Sequence, residues 1–212
     1  MNDGFVIAVD GSAASGKGTL AGRLAAHYGL PHLDTGLLYR AVGQAVGDPA
    51  DEVAAAAAAR SLDPHRLDDP ALTTPAAGER ASQVAAHPAV RAALLDLQTG
   101  FARQPGGAVL DGRDIGTVIA PFAPAKLYVD AALAIRAQRR WRQAQGRGDQ
   151  VTLDAMMQDL ARRDARDSSR ATAPLTRAQD AALLDTTLLS IESAFDEALR
   201  IVETARARWL AL

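Results

Sequence analysis

The sequence predicts an α/β fold in three layers, with a parallel five-stranded sheet between helices. Three observations carry that expectation. Short apolar runs recur at residues 5–9, 108–110, 126–129 and 182–184, each too brief for a helix. Amphipathic helical patterns alternate with them, as in a sheet whose strands are joined by crossover helices. The junctions where strands run into helices are polar, and ligands of such sheets bind in the crevice at the carboxyl ends of the strands. With 212 residues the chain is read as one domain carrying an insertion.

The elements follow in order. Phe5 to Val9 is the first strand, Asp10-Gly11 turns the chain, and Leu20, Leu24 and Tyr28 mark one face of a helix that Gly29 ends. Pro31-His32-Leu33 is a short extended piece leading into Asp34-Thr35-Gly36, where Asp34 or Thr35 caps a helix through Leu38, Val42 and Val46. From Gly47 to about Pro75 the composition turns to acids, prolines and the run Val53 to Ala59, which reads as an inserted, mobile helical segment. Ser82 to Phe101 is helical with a break near His87-Pro88, and Pro105-Gly106-Gly107 precedes a strand at Ala108-Val109-Leu110. Lys126 to Val129 is a further strand, followed by a helix from Ala131 to Gln145 and a Gly146-Arg147-Gly148 break. An arginine-rich helix runs from about Thr152 past Arg163. Ala182 to Leu184 is the fifth strand, and Ser190 opens a final helix to about Trp209.

Composition excludes several classes of function. Hydrophobic residues make up 48% of the chain and almost half of them are alanine, so the core is alanine-padded. The formal charge of -2 supplies no field that would draw in nucleic acid or an anionic membrane. The absence of cysteine removes disulfides, thiolate catalysis and cysteine-built zinc sites, and fits a reducing compartment. Asp3 and a short apolar stretch at the start, and the lack of any run of about 18 apolar residues, argue against a signal peptide or a membrane span. A cytoplasmic monomer is expected.

Only two of the 23 basic residues are lysine, and one of them, Lys17, lies within Gly11-Ser12-Ala13-Ala14-Ser15-Gly16-Lys17-Gly18-Thr19. Glycines at this spacing after a strand let backbone N–H groups turn inward to cradle phosphate, and the helix that follows offers its positive end. Lys17 then reaches the outer phosphates. The residue after Lys17 is glycine, so the hydroxyl that could serve Mg2+ arrives one place later, at Thr19. A GTP-dependent switch would need Asn-Lys-x-Asp to read guanine. The chain has one asparagine, Asn2, and one other lysine, Lys126, so that motif is absent. His27, His32, His65 and His87 share no catalytic or metal-ligand spacing and are read as surface residues.

A second anion site is expected from arginine. In Arg162-Arg163-Asp164-Ala165-Arg166-Asp167-Ser168-Ser169-Arg170, helical geometry puts Arg163, Asp167 and Arg170 on one face. A solvated face of weak ion pairs is the plainer alternative. The phosphate loop favours a second anion instead, because guanidiniums bind phosphate oxygens bidentately. Asp111-Gly112-Arg113-Asp114 leaves the third strand with two carboxylates and a guanidinium; an ordinary polar turn is one reading, and the functional one gives Arg113 an acceptor phosphate with Asp111 beside the metal-bound donor.

These strings occur in a fixed order, with Asp-Thr-Gly-x-x-Tyr-Arg at 34–40, Ser-Gln-Val-Ala at 82–85, Asp-Gly-Arg-Asp-Ile-Gly-Thr at 111–117 and Arg-Asp-x-Arg-Asp-x-x-Arg-x-x-x-Pro-Leu from Arg163 to Leu175. Together they resemble the bacterial cytidylate kinase family over nearly the whole chain. The resemblance implies a P-loop nucleoside monophosphate kinase. Its core would be 1–46, 102–135 and 176–212, with a monophosphate-binding insert at about 47–101 and a lid at about 136–165. It also implies transfer of the γ-phosphate of ATP to CMP or dCMP, with Mg2+. Gly11 to Thr19 would then hold ATP, Thr35, Arg40, Arg113 and Arg170 the acceptor phosphate region, Arg163 and Asp167 the ribose, and Ser82, Arg91 and Asp114 the cytosine. Lys17, Arg113 and Arg170 would act on the transferring phosphate, Thr19 and Asp111 on Mg2+, and Arg139, Arg140 and Arg147 would belong to the lid. The insert departs from the family pattern, since residues 47–80 are alanine-rich without clear strands where many members carry a small antiparallel sheet. A kinase for another monophosphate such as UMP, and an ATP-sensing module without an acceptor, are the competing readings. No general base is required, because the attacking oxygen belongs to a phosphate with a second pKa near 6.

Overall fold

The computed structural model describes residues 4–211, without the side chains of Pro64 and His65, so Asp3 and the reading of His65 lie outside the described residues. Five strands form one sheet in the order β2-β3-β1-β4-β5: β1 (Phe5–Gly11), β2 (His32–Asp34), β3 (Gly107–Gly112), β4 (Ala125–Asp130) and β5 (Ala182–Asp185). All four pairings are parallel. β1 is central, with Ala8 opposite both Leu110 and Lys126. That order puts the ends of β1, β2 and β3 side by side, Asp34 facing Asp111 and Asp10 facing Gly112.

The period-two alternation of β1 divides the core. Val6 and Ala8 pack to one side with Leu38, Val42, Leu94 and Leu110, while Ile7 and Val9 pack to the other with Leu20, Leu24, Leu127 and Val202. The helices covering these faces are α1 (Lys17–Tyr28), α2 (Thr35–Ala45), α3 (Glu52–Arg60), α4 (Pro75–Val84), α5 (Pro88–Ala102) and α8 (Ile191–Leu210). A third, smaller cluster joins α6 (Leu133–Gly146) to α7 (Leu153–Ser169) through Ala137, Ala144, Met156 and Leu160, with Ala13 of the β1–α1 loop against it.

The segment 47–101 is helical without strands among the described residues. Ala55, Ala56 and Ala59 bury one face of α3 within the larger core cluster, where small side chains allow close approach. α4 begins at Pro75 rather than at Ser82: Thr74 accepts from the N–H of Ala77 and Pro75 occupies the first turn, a start signal that the glycine- and alanine-rich interior obscures. α6 starts at Leu133, two places beyond Ala131, because Asp130 Oδ1 takes the N–H of Ala131 and holds it outside the helix. After β3 the chain makes one wide turn at Ile115–Ile119, closed by the Ala120 N–H to Ile115 carbonyl bond of 2.7 Å. Asp34 is the residue that caps α2, accepting from Gly36 N at 2.8 Å.

Candidate active site

The form of the β1–α1 loop depends on two of its glycines. A Cβ at Gly11 would lie 1.9 Å from the carbonyl oxygen of Val129, and Gly16 caps α1 at φ 94°, where a side chain is strained. Ala14 sits at φ 61°, an uncommon value for a residue with a side chain and one that clusters at binding sites. No side chain caps α1, so its first N–H groups stay free. Three loop carbonyls are tied down, one from within and two from neighbouring segments: Ser15 Oγ donates to Ser12 O at 3.0 Å, Arg136 Nη1 to Ala13 O at 3.1 Å and Thr186 Oγ1 to Ser15 O at 2.9 Å. Because the C=O and N–H of a trans peptide point opposite ways, the N–H groups of Ala13, Ala14 and Gly16 are turned the other way, the arrangement of an anion cradle.

The cleft in front of the loop has a volume of about 640 Å³ and is lined by Ala13 to Leu20, by the ends of β2 and β3, and by residues of α2, α4, α5, α6, α7 and α8. Lys17 projects into it. Burial, with the charge of Arg113, lowers its ammonium to a pKa of about 8, against the opposing pull of Asp111 and Asp34.

Opposite the loop the cleft collects guanidiniums. Burial is the largest effect holding Arg40, Arg163 and Arg170 below the ordinary arginine range, and Arg140 falls to about 10, with the positive charges of their neighbours adding to it. Arg140 Nη2, Arg163 Nε and Arg170 Nε are buried without hydrogen-bond partners. Asp167 is the carboxylate among them: it accepts from Arg113 Nε at 2.9 Å and from Ser82 Oγ at 3.0 Å. Burial would raise its pKa, but Arg113, Arg170 and Arg163 outweigh that and hold it below the usual value. At the inner end Arg91 and Asp114 form a buried ion pair, with the guanidinium 5.5 Å from the centre of the Tyr39 ring.

The cleft thus brings together Ala13 to Thr19, Thr35, Arg40, Ser82, Arg91, Asp111, Arg113, Asp114, Arg163, Asp167 and Arg170. Gly11 and Ser12 stand behind it: Gly11 abuts β4, and Ser12 Oγ donates to Asp130 Oδ1 at 2.5 Å. Thr35 spends its hydroxyl on the Asp111 carbonyl at 2.9 Å, and Thr19 is exposed at the rim. Arg140 faces the cleft, Arg139 lines it while bonding to Thr186, and Arg147 pairs with Asp149 away from it.

Three residues outside the sequence expectations support this site. Asp10 accepts the N–H groups of Ile115 and Gly116, both at 2.7 Å, and fixes the turn that carries Arg113 and Asp114. Burial raises its pKa to about 6. Arg136 ties Ala13 to α7 through Asp164 Oδ2 at 2.7 Å. His32, expected at the surface, keeps a side chain 27% exposed but bonds through Nε2 to Asp111 Oδ1 at 2.8 Å. The signal for His32 was its place two residues before Asp34, on the same strand face, and spacing within the chain did not reveal its partner on β3.

Among the described residues no helix is long and apolar enough to cross a membrane. The model of the family described as "Cytidylate kinase" matches residues 7–204. The chain is 63% identical over 209 residues to a cytidylate kinase of Caulobacter sp. strain K31, covering 97% of each. It is 62% identical over 206 residues to one from Xanthobacter autotrophicus, covering 96% of this chain and 99% of the other. A crystal structure of an uncharacterized protein from Eubacterium ventriosum shares the fold, with a TM-score of 0.55 and 13% identity over 94% of this chain and 98% of that one. The family model over most of the chain and these relatives place the matter beyond the geometry of a glycine loop facing a guanidinium-lined cleft: the chain belongs to the cytidylate kinase family.

Proposed function

We propose that the protein transfers the γ-phosphate of ATP to CMP or dCMP, giving ADP and CDP or dCDP. The observation that carries this reading is the single cleft in which the phosphate loop faces Arg40, Arg140, Arg163 and Arg170, all short of anionic partners. Two phosphate groups laid between them would supply the missing charge. Gly11 to Thr19 hold ATP, the first two from behind the loop, while Arg40, Arg113 and Arg170 with Thr35 border the acceptor phosphate. Arg163 and Asp167 take the ribose. Ser82 and the Arg91–Asp114 pair read cytosine, whose amino group suits an acceptor and whose O2 and N3 suit a donor. Uracil reverses the donor at that edge and is disfavoured.

Mg2+ fits the donors present. Among the described residues no group of three or more acidic or histidine side chains is placed to hold a metal ion, and of the two carboxylates at this end of the cleft, Asp34 caps α2 while Asp111 lies beside Gly18 of the loop, which suits an ion carried mainly by phosphates and water. Asp111 and Thr19 would hold it, and it would neutralise charge on the donor phosphates. The protein's own work is positioning: Lys17 and the arginines align donor and acceptor in line and offset the charge of the transferring group, while closing helices exclude water. The core, the insert at 47–101 and the lid at 136–165 are the parts that would move. A soluble cytoplasmic monomer completes the reading, since one chain builds the whole cleft; light scattering tests the monomer.

The test is ADP formation from Mg2+·ATP with CMP, dCMP, UMP, AMP, GMP and dTMP supplied singly. Turnover with CMP and dCMP and little with UMP supports the assignment. Equal turnover with UMP makes this a kinase of broader base range, and ATP binding without turnover on any acceptor leaves the sensing module.

A further inference from the structure

Asp111 is held by an asymmetric pair of contacts. His32 Nε2 lies 2.8 Å from Oδ1, and because a carboxylate only accepts, Nε2 is the nitrogen that carries the proton. Oδ2 accepts no hydrogen bond among the described residues and points at the first turn of α1, where a methyl at Gly18 would sit 3.6 Å from it. One turn further along α1, a methyl at Gly22 would sit 3.9 Å from His32 Nδ1. The imidazole therefore has its Nδ1 side against α1 and its Nε2 on Asp111, and the Asp111 backbone is fixed separately by Thr35 Oγ1 at 2.9 Å. Lys17 and Arg113 are the cations whose charge reaches Asp111, and without a donor on Oδ1 the carboxylate is free to turn toward them.

We propose that His32 is a positioning residue: its Nε2–H holds one oxygen of Asp111 so that the other faces the phosphate loop and the Mg2+ of bound ATP. The proposal rests on the reading of the cleft as an ATP site. His32 touches neither nucleotide nor metal and acts through Asp111, as partners of metal-bound carboxylates do, where removal costs about ten- to a hundredfold in metal affinity.

The test measures ATP binding to the full chain by calorimetry, in EDTA and in excess Mg2+, for wild type, His32→Leu and His32→Gln, with melting curves as a fold check. In EDTA the three bind ATP within about twofold of each other. With Mg2+ the wild type and the glutamine variant, which keeps an N–H donor, gain affinity, while the leucine variant gains about tenfold less. CMP affinity is the same in all three. An equal Mg2+ gain in the leucine variant, an equal loss in EDTA, or no gain in the wild type would each overturn the proposal. His32→Ala replaces the leucine variant if that one fails to fold. Failure of CMP-dependent ADP formation would refute the kinase reading while leaving this comparison of ATP affinities standing, so the two failures are distinguishable.

Discussion

Asp167→Asn is the most informative perturbation of the protein measured without nucleotide. Asp167 is 3% exposed and accepts from Arg113 and Ser82, with Arg163 and Arg170 also acting on its charge. Asparagine keeps the shape and one acceptor, but leaves a cluster of buried guanidiniums without a counter-charge. Removing one member of a buried ion pair costs about 3–5 kcal/mol. Arg113 keeps 17% side-chain exposure and the site opens on a cleft, so solvent screening brings the cost to the bottom of that range or just under it, about 2–3 kcal/mol. For a chain of this size that lowers Tm by about 4–12 °C. The pH dependence fixes the cause: with a folded pKa below the unfolded value, Asp167 contributes above about pH 4 and the contribution fades as pH falls through the folded pKa. Melting curves for both proteins from pH 3 to 8 should therefore run parallel above pH 5 and converge in acid. A variant that melts with the wild type at pH 7 would refute the view that Asp167 is the counter-charge of a buried cationic cluster.

Lys17→Met should abolish turnover while raising the Tm of the ligand-free protein, because an ammonium held at about 8 opposes folding wherever it stays charged; a lower Tm contradicts this. For Asp10, with a folded pKa near 6 against 3.8, the folded state binds the extra proton between those values, so stability carries a component that falls as pH rises from about 4 to 6. Denaturation of Asp10→Asn should lack that component and should show a net loss of about 1–3 kcal/mol at pH 7, from the N–H of Ile115 or Gly116 left unpaired. Glu79→Ala removes the 2.7 Å bridge from α4 to Arg166 on α7; steady-state kinetics should show KM for CMP rising about two- to fivefold with Tm falling by no more than about 4 °C, as for a partly exposed pair.

The chemistry of the chain was more legible than its support. Gly11 to Thr19, Asp34 to Arg40 and Asp111 to Asp114 announce themselves because each is a local string at a strand end. The arginines expected in a lid could be listed but not sorted, since Arg139 reaches Thr186, 47 residues away, through the packing of α6, and the local pair of Arg147 with Asp149 carries no signal of its own. His32 and Arg136 were invisible as functional support for the same reason: their partners Asp111 and Ala13 lie 79 and 123 residues away and meet them only through the strand order. The early start of α4 was hidden by a sequence poor in large apolar residues, where periodicity carries little signal.

The central claim is that one cleft joins an ATP cradle to a pocket reading cytidine monophosphate. Calorimetric titration of the protein with CMP, dCMP, UMP and cytidine tests it most directly. CMP and dCMP should bind, cytidine should lose the large share of affinity owed to Arg40, Arg113 and Arg170, and UMP should bind at least about tenfold more weakly, about 1.4 kcal/mol. Cytidine binding as tightly as CMP, or UMP matching CMP, would contradict it.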